Sequence, residues 1–368
     1  MALKCGIVGL PNVGKSTLFN SVSSGKAQAL NFPFCTIEPN LGSIPVPDTR
    51  LEELARLVQP RHTVPATVDF VDIAGLVRGA SKGEGLGNQF LANIRETDAL
   101  LHVLRCFDSP HVVHTDGSVD PVRDLEVVET ELQIKDLETV ENRMAKVEKQ
   151  AVAGGDKEAA RMLDLLERYK KALGEGQNAR KVIPANHQEE QMAHGLFLLT
   201  NKPVLYVCNI DEQSAVSGNP YTQAVAEKLE EDKEPFLIVA AQAEALIAEM
   251  EDPEEKLEFL SLIGLEESGV SRLIQAAYKL LTLETFFSYN DTEARAWTFR
   301  KGTKARQAAG LIHSDFERGF IRAEVIKFED FLHYGSESAC REAGKISAEG
   351  RNYVVQDGDI IHFLFSPV

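Results

Sequence analysis

The segment Gly9-Leu10-Pro11-Asn12-Val13-Gly14-Lys15-Ser16 constrains this chain more than any other. It fits G-x-x-x-x-G-K-[ST], follows the apolar run Lys4–Val8 directly, and opens a stretch of helical character from Ser16 to Ser21. The chemistry needs that spacing. Glycines let the loop wrap so that backbone N–H groups point inward, toward anionic oxygens at the positive end of the next helix. Lys15 then reaches the β- and γ-phosphates of a nucleotide and acts in catalysis as well as binding. The Ser16 hydroxyl is a ligand for Mg2+, and Asn12, Val13, Gly14 and Thr17 complete the nucleotide-binding turn.

Further buried-type strands are expected at Thr67–Val71, Leu100–Leu104, Val204–Val207 and Phe236–Val239, alternating with helical stretches. That alternation defines an α/β fold with a parallel sheet covered on both faces. The interval between Leu104 and Val204 is far too long for a crossover. It is mostly helical: Leu125, Val128, Leu132, Leu137, Val140, Met144, Val147 and Ala151 recur at steps of three or four among many charges. Gly154-Gly155-Asp156 marks a turn, and Met162, Leu163, Leu166, Tyr169 and Leu173 form a second stripe closing at Gly174 and Gly176. The reading is an antiparallel helical hairpin inserted into the α/β domain, either a solvated helix pair or a partner-binding arm.

Beyond a helix at Leu273–Leu283 the texture changes. Trp297-Thr298-Phe299, Phe320–Ile326 and Ile360–Phe365 read as short strands separated by turns, the pattern of a small α+β domain. The boundaries expected are 1–122 with 200–280 for the nucleotide-binding domain, 123–199 for the helical insertion and 281–368 for the C-terminal domain. The chain carries 39 Lys and Arg against 56 Asp and Glu, a net charge of −17, which argues against attachment to nucleic acid by bulk charge. From Leu281 onward the balance is 11 against 13, so any RNA contact falls best there. No sequence-specific DNA contact is expected. No apolar run approaches the roughly 18–20 residues of a membrane span. Met1-Ala2-Leu3-Lys4 leaves no room for a signal peptide before the first strand, and the five cysteines show no pairing or zinc spacing. A cytoplasmic protein without membrane contact is expected.

Asp72-Ile73-Ala74-Gly75 ends the second strand in the place of a D-x-x-G element, whose carboxylate helps to hold Mg2+ and whose glycine amide senses the γ-phosphate. Between the two motifs, Thr36 is the best-placed hydroxyl for a loop closing over the metal, with Thr49 and Thr63 as alternatives. Leu76 stands where Ras-like enzymes carry the glutamine that orients the attacking water, so hydrolysis needs another group or stays slow. The glycine-rich run Arg78–Gly87 suits a switch that orders on nucleotide binding.

Asn209-Ile210-Asp211-Glu212 follows the fourth strand, where guanine-specific enzymes have N-K-x-D. Ile210 replaces the lysine, Glu212 replaces the aspartate, and Asp211 lies one residue early. Loss of a matched polar contact changes base discrimination by orders of magnitude. Asn209, Ile210 and Glu212 therefore make a poor guanine site, and adenine becomes plausible.

Together these motifs, with Asn31–Asn40, Val71–Val77, Gly83–Asn88, Asn93–Thr97, Arg295–Thr298 and Gln307–Ala323, resemble the YchF, or Obg-like ATPase, family over essentially the whole chain. The resemblance implies a Ras-like P-loop NTPase domain, an inserted coiled-coil domain and a C-terminal β-grasp (TGS) domain. It also implies preference for ATP over GTP, Mg2+ dependence, and association with ribosomes (50S or 70S particles, rRNA) through the TGS and helical domains in stress and redox responses. Hydrolysis in the family is tied to a histidine after the third strand. The matching residue is His114, with His111 and His102 as competitors; a neutral imidazole titrating near pH 6.5 suits that task. If none of them serves, a backbone group, K+ or a ribosomal residue must position the water. Three functions compete: a slow ATPase switch, a nucleotide-gated ribosome-binding module with negligible turnover, and an ordinary translational GTPase.

Overall fold

A computed structural model describes residues 3–24, 41–73, 86–114, 117–154 and 156–367. In chain order the first elements are β1 (Lys4–Val8), α1 (Lys15–Ser24), β2 (Leu41–Pro45), α2 (Thr49–Val58), β3 (His62–Val64), β4 (Thr67–Asp72), α3 (Leu86–Arg95) and β5 (Ala99–Arg105). Then come α4 (Pro121–Gly154), α5 (Lys157–Gly174), β6 (Val204–Asn209) and β7 (Phe236–Val239). The remaining strands are β8 (Leu283–Tyr289), β9 (Glu293–Arg300), β10 (Phe320–Lys327), β11 (Ile346–Glu349) and β12 (Asp359–Phe365).

The described residues fall into two compact units, one drawn from Leu3–Gly42 and Asp69–Leu273, the other from Ser43–Val68 and Ile274–Val368. The first is built on a sheet of order β2-β4-β1-β5-β6-β7. β1 pairs in parallel with β4 and β5, and β5, β6 and β7 continue in parallel. Every residue of β5 and of β6 is buried. Runs apolar on both faces can only be central strands of a sheet covered on both sides. The C-terminal ends of these strands lie at one edge, where ligands of open parallel sheets bind.

The helical hairpin forms as the stripe requires. Val140 and Val147 of α4 pack with Leu165, Leu166, Tyr169 and Leu173 of α5, and Leu137 and Met144 lie partly buried against them. Asp156 caps α5 by accepting from the N–H groups of Glu158 and Ala159, worth about 1 kcal/mol. At the root of the hairpin, buried Asp136 accepts from Leu199 N, Thr200 N and the Thr200 hydroxyl. Burial pushes its carboxyl up despite these bonds. Among the described residues no helix is long and apolar enough to cross a membrane.

The second unit has a sheet of order β11-β10-β12-β8-β9-β3. The expected C-terminal strands are present, but the sheet also takes β3 from far upstream, paired in parallel with β9 at His62↔Glu293 and Val64↔Arg295. Arg50, in the first turn of α2, donates to Asp48 and to Asp357, and Asp357 in turn accepts from Thr285 N. These long-range contacts give 43–68 its place. The helix expected through Leu283 stops at Leu280; Thr282 turns with φ 54°, and the apolar residues that follow form β8.

Candidate active site

The loop between β1 and α1 has the backbone its glycines predict. Gly14 has φ +96°, and a Cβ there would come within 2.2 Å of the Asn209 amide nitrogen. Gly9 has φ +151°, and its Cβ would meet the Val103 carbonyl at 2.5 Å. Asn12 takes the left-handed region at φ 63°, which asparagine tolerates better than most side chains. Leu18 N then donates to Gly14 O, and the helix begins.

Lys15 turns back over this loop and donates to Leu10 O at 2.7 Å. Burial lowers its pKa to about 8, against the upward pull of Asp72. The Ser16 hydroxyl lies 3.3 Å from Asp72 Oδ2. Parallel pairing of β1 with β4 brings the two residues together, with Ile7 opposite Asp72. Burial pushes the Asp72 carboxyl up, opposed by Lys15 and Ser16. A hydroxyl and a carboxylate that gains from a nearby cation are hard oxygen donors, and they suit Mg2+ that takes its other ligands from phosphate and water. Thr36 and Gly75–Gly85 lie outside the described residues. Thr49 is the first residue of α2, and Thr63 sits in β3.

At the end of β6, Asn209 is buried. Its Nδ2 donates to Val13 O at 2.9 Å, and its Oδ1 accepts from Ala241 N at 3.1 Å. Its amide thus ties the phosphate loop to the turn after β7. Ile210 is buried as well. Asp211 is committed to its own turn, accepting from Ser214 N and the Ser214 hydroxyl. Glu212 instead lines a cavity of about 1110 Å³ together with Gly14, Thr17, Phe107, Tyr221 and Gln242. That volume accommodates a nucleotide. Glu244, in the segment after β7, is buried and accepts from Gly269 N and Val270 N.

The three histidines differ sharply. His102 lies inside β5 at 3% exposure, and burial lowers its pKa to about 4. His111 is exposed. His114 follows a segment anchored on the phosphate loop: Asn12 Nδ2 donates to Val113 O at 3.2 Å. Arg105, 2% exposed at the end of β5, donates to Phe107 O and Val112 O and lies over the Phe107 ring. The His114 Nε2 is 2.8 Å from Asp124 Oδ2. Arg105 and Asp124 escaped sequence reasoning. A charge ending an apolar strand was the one available sign for Arg105, while Asp124 reads as an ordinary acidic residue in a helix's first turn.

A phosphate loop, a strand-end aspartate and an Asn-x-x-Glu turn at one edge of a parallel sheet define a P-loop nucleotide-binding protein. Comparison with known proteins agrees. A family model described as 50S ribosome-binding GTPase matches residues 4–150, and one named YchF-GTPase_C, described as a protein of unknown function, matches 283–366. The chain is 51% identical over 368 residues, all of both chains, to "Ribosome-binding ATPase YchF" of Escherichia coli O157:H7. It is 49% identical, again over all of both chains, to the protein of that name from Bacillus subtilis (strain 168). With "Obg-like ATPase 1" of Gallus gallus it shares 44% identity over 99% of this chain and 93% of the other. A solved structure, "Structure of the Schizosaccharomyces pombe YchF GTPase", superposes with TM-score 0.90 at 37% identity, covering 98% of this chain and 97% of that one. The chain belongs to the YchF, or Obg-like ATPase, family.

Proposed function

We propose that this chain is a ribosome-associated P-loop ATPase that hydrolyses ATP to ADP and phosphate and acts as a nucleotide-dependent switch in translation and stress response. One observation carries the reading: Lys15, Ser16 and Asp72 converge at the head of a phosphate loop, with the Ser16 hydroxyl 3.3 Å from the Asp72 carboxylate. Backbone amides from Asn12 to Thr17 hold the phosphates, and Lys15 leaves Leu10 O to meet the β- and γ-oxygens. Ser16 and Asp72, joined by Thr36, hold Mg2+. The ion supplies neutralisation of charge on the β- and γ-phosphates. His114 positions the attacking water in place of the glutamine that Leu76 replaces.

Adenine is preferred over guanine because Ile210 and Glu212 offer neither the lysine stem nor the aspartate of a guanine site, and Asp211 is occupied by Ser214. The relatives' names are the support for ribosome binding. The contacts are assigned to the helical insertion (123–199) and the TGS domain (281–368), the latter being the less acidic, and the protein works in the cytoplasm. Phosphate release by the full chain, measured with ATP and with GTP, with and without Mg2+ and ribosomes, tests this. Faster turnover of ATP than GTP, stimulated by ribosomes and lost without Mg2+, is expected. Preference for GTP, or no turnover even with ribosomes, overturns it.

A further inference from the structure

The side chains around the base end of the nucleotide cavity divide into those already engaged and those free to meet a ligand. Asn209 has committed both ends of its amide, Nδ2 to Val13 O and Oδ1 to Ala241 N. Asp211 is held by Ser214, and Ile210 is apolar and buried. None of the three has a polar atom left for a purine. Glu212 and Gln242 line the same cavity and are exposed, and neither side chain has a hydrogen-bond partner among the described residues. Gln242 is the second residue of the helix Ala241–Glu249 that follows β7. The N–H of its neighbour Ala241 is the one that Asn209 holds at 3.1 Å, so this helix start is tied through a single side chain to the phosphate loop.

We propose that Gln242 is a specificity-determining residue that reads the Hoogsteen edge of adenine, its Oε1 accepting from the N6 amino group and its Nε2 donating to N7. This rests on the proposed preference for ATP. Base chemistry assigns the edges. An aspartate that takes two hydrogen bonds from guanine finds neighbouring donors only at N1 and N2, so the last residue of the turn after β6 faces the Watson–Crick edge. Glu212 occupies that place here. Gln213 also lines the cavity but belongs to the turn Glu212–Ser214, on the same side. Gln242, beside Asn209 and the phosphate loop, faces the edge that carries positions 6 and 7. There adenine offers an acceptor at N7 and a donor at N6, whereas guanine offers acceptors at N7 and O6. A primary amide has an acceptor oxygen and an NH2 donor, so it pairs with adenine at both positions. Against guanine its oxygen meets O6, or the amide turns and keeps only its donor contacts.

Binding of ATP, GTP and 7-deaza-ATP, which carries C–H in place of N7, to the full chain with Mg2+ tests this. The unsubstituted protein should bind 7-deaza-ATP roughly 3- to 10-fold more weakly than ATP. Q242A should abolish that difference and lower the ATP-to-GTP affinity ratio by about tenfold. Its urea midpoint should not move, because the side chain is exposed and makes no bond within the described chain. Q242E keeps an acceptor for N6 but turns a carboxylate oxygen toward the N7 lone pair, so it should bind 7-deaza-ATP better than ATP. A 7-deaza difference that is absent from the unsubstituted protein, or that survives in Q242A, overturns the role of Gln242 and leaves the preference for ATP standing. Preference of the unsubstituted protein for GTP overturns the ATP reading, and the role of Gln242 with it.

Discussion

Asn209 and Val13, 196 residues apart, are joined by a 2.9 Å hydrogen bond that pins the phosphate loop to the end of β6. The same amide accepts from Ala241 N, so one side chain at the edge of the base cavity sets the position of the loop below it. N209A leaves Ala241 N–H, in buried surroundings, without its acceptor, a loss of about 1–3 kcal/mol in stability. It also frees Val13, so ATP affinity should fall together with the urea midpoint. Unchanged affinity in a destabilised N209A would mean that the loop keeps its shape unaided.

Lys15 makes the second prediction. Its buried ammonium loses its proton around pH 8 in the free protein, well below an ordinary lysine. Phosphate oxygens favour the charged form, so binding below pH 8 needs no proton from solvent at this group. Above pH 8 each bound ATP draws one in, and affinity should fall up to about tenfold per pH unit until the group's pKa in the complex is reached. Titration calorimetry between pH 7 and 10, in buffers of different ionisation enthalpy, reads both the affinity and the proton uptake. A flat profile would show that Lys15 stays charged throughout.

In the proposed site Ser16 and Asp72 meet the nucleotide through Mg2+, whereas Lys15 meets it directly. S16A removes the hydroxyl that now lies against Asp72 Oδ2 and leaves the loop amides in place. ATP affinity measured without Mg2+ should be unchanged, while the gain normally produced by adding Mg2+ should shrink. Equal losses in both conditions would assign Ser16 to the loop's fold rather than to the metal.

What could be read in advance follows from range. β1, β5 and β6 are short apolar runs whose burial on both faces shows in their composition, and α4 and α5 carry stripes that find each other across one turn. Residues 43–68 offer little of the kind. The amphipathic stripe of α2 buries Leu51 and Leu54, but no local pattern says which sheet it joins, because Arg50–Asp357 spans 307 residues. β3 is three residues with no buried position, so neither alternation nor hydrophobicity marks it. At the site, the loop, Lys15, Ser16 and Asp72 are visible because phosphate chemistry demands their spacing. Arg105 and Asp124 bond to backbone carbonyls and to the His114 ring, and such contacts leave no spacing to detect.

The proposed preference for ATP should weaken when the end of β6 is changed. I210K/E212D rebuilds N-K-x-D on the same strand end without disturbing Asn209, whose amide remains with Val13 and Ala241. A carboxylate shortened by one methylene and a lysine stem over the ring then match guanine, and the preference for ATP over GTP should fall by at least about tenfold. Part of the gain will be lost because Ile210 is buried, and a lysine there must extend its ammonium into the cavity. E212D alone should therefore shift the ratio in the same direction by less. Competition of both nucleotides against a fluorescent analogue measures the change. If the ratio does not move in either variant, the base is read by backbone groups around Ala240–Ala243. Glu244 is not free for that purpose, since its carboxylate holds the N–H groups of Gly269 and Val270.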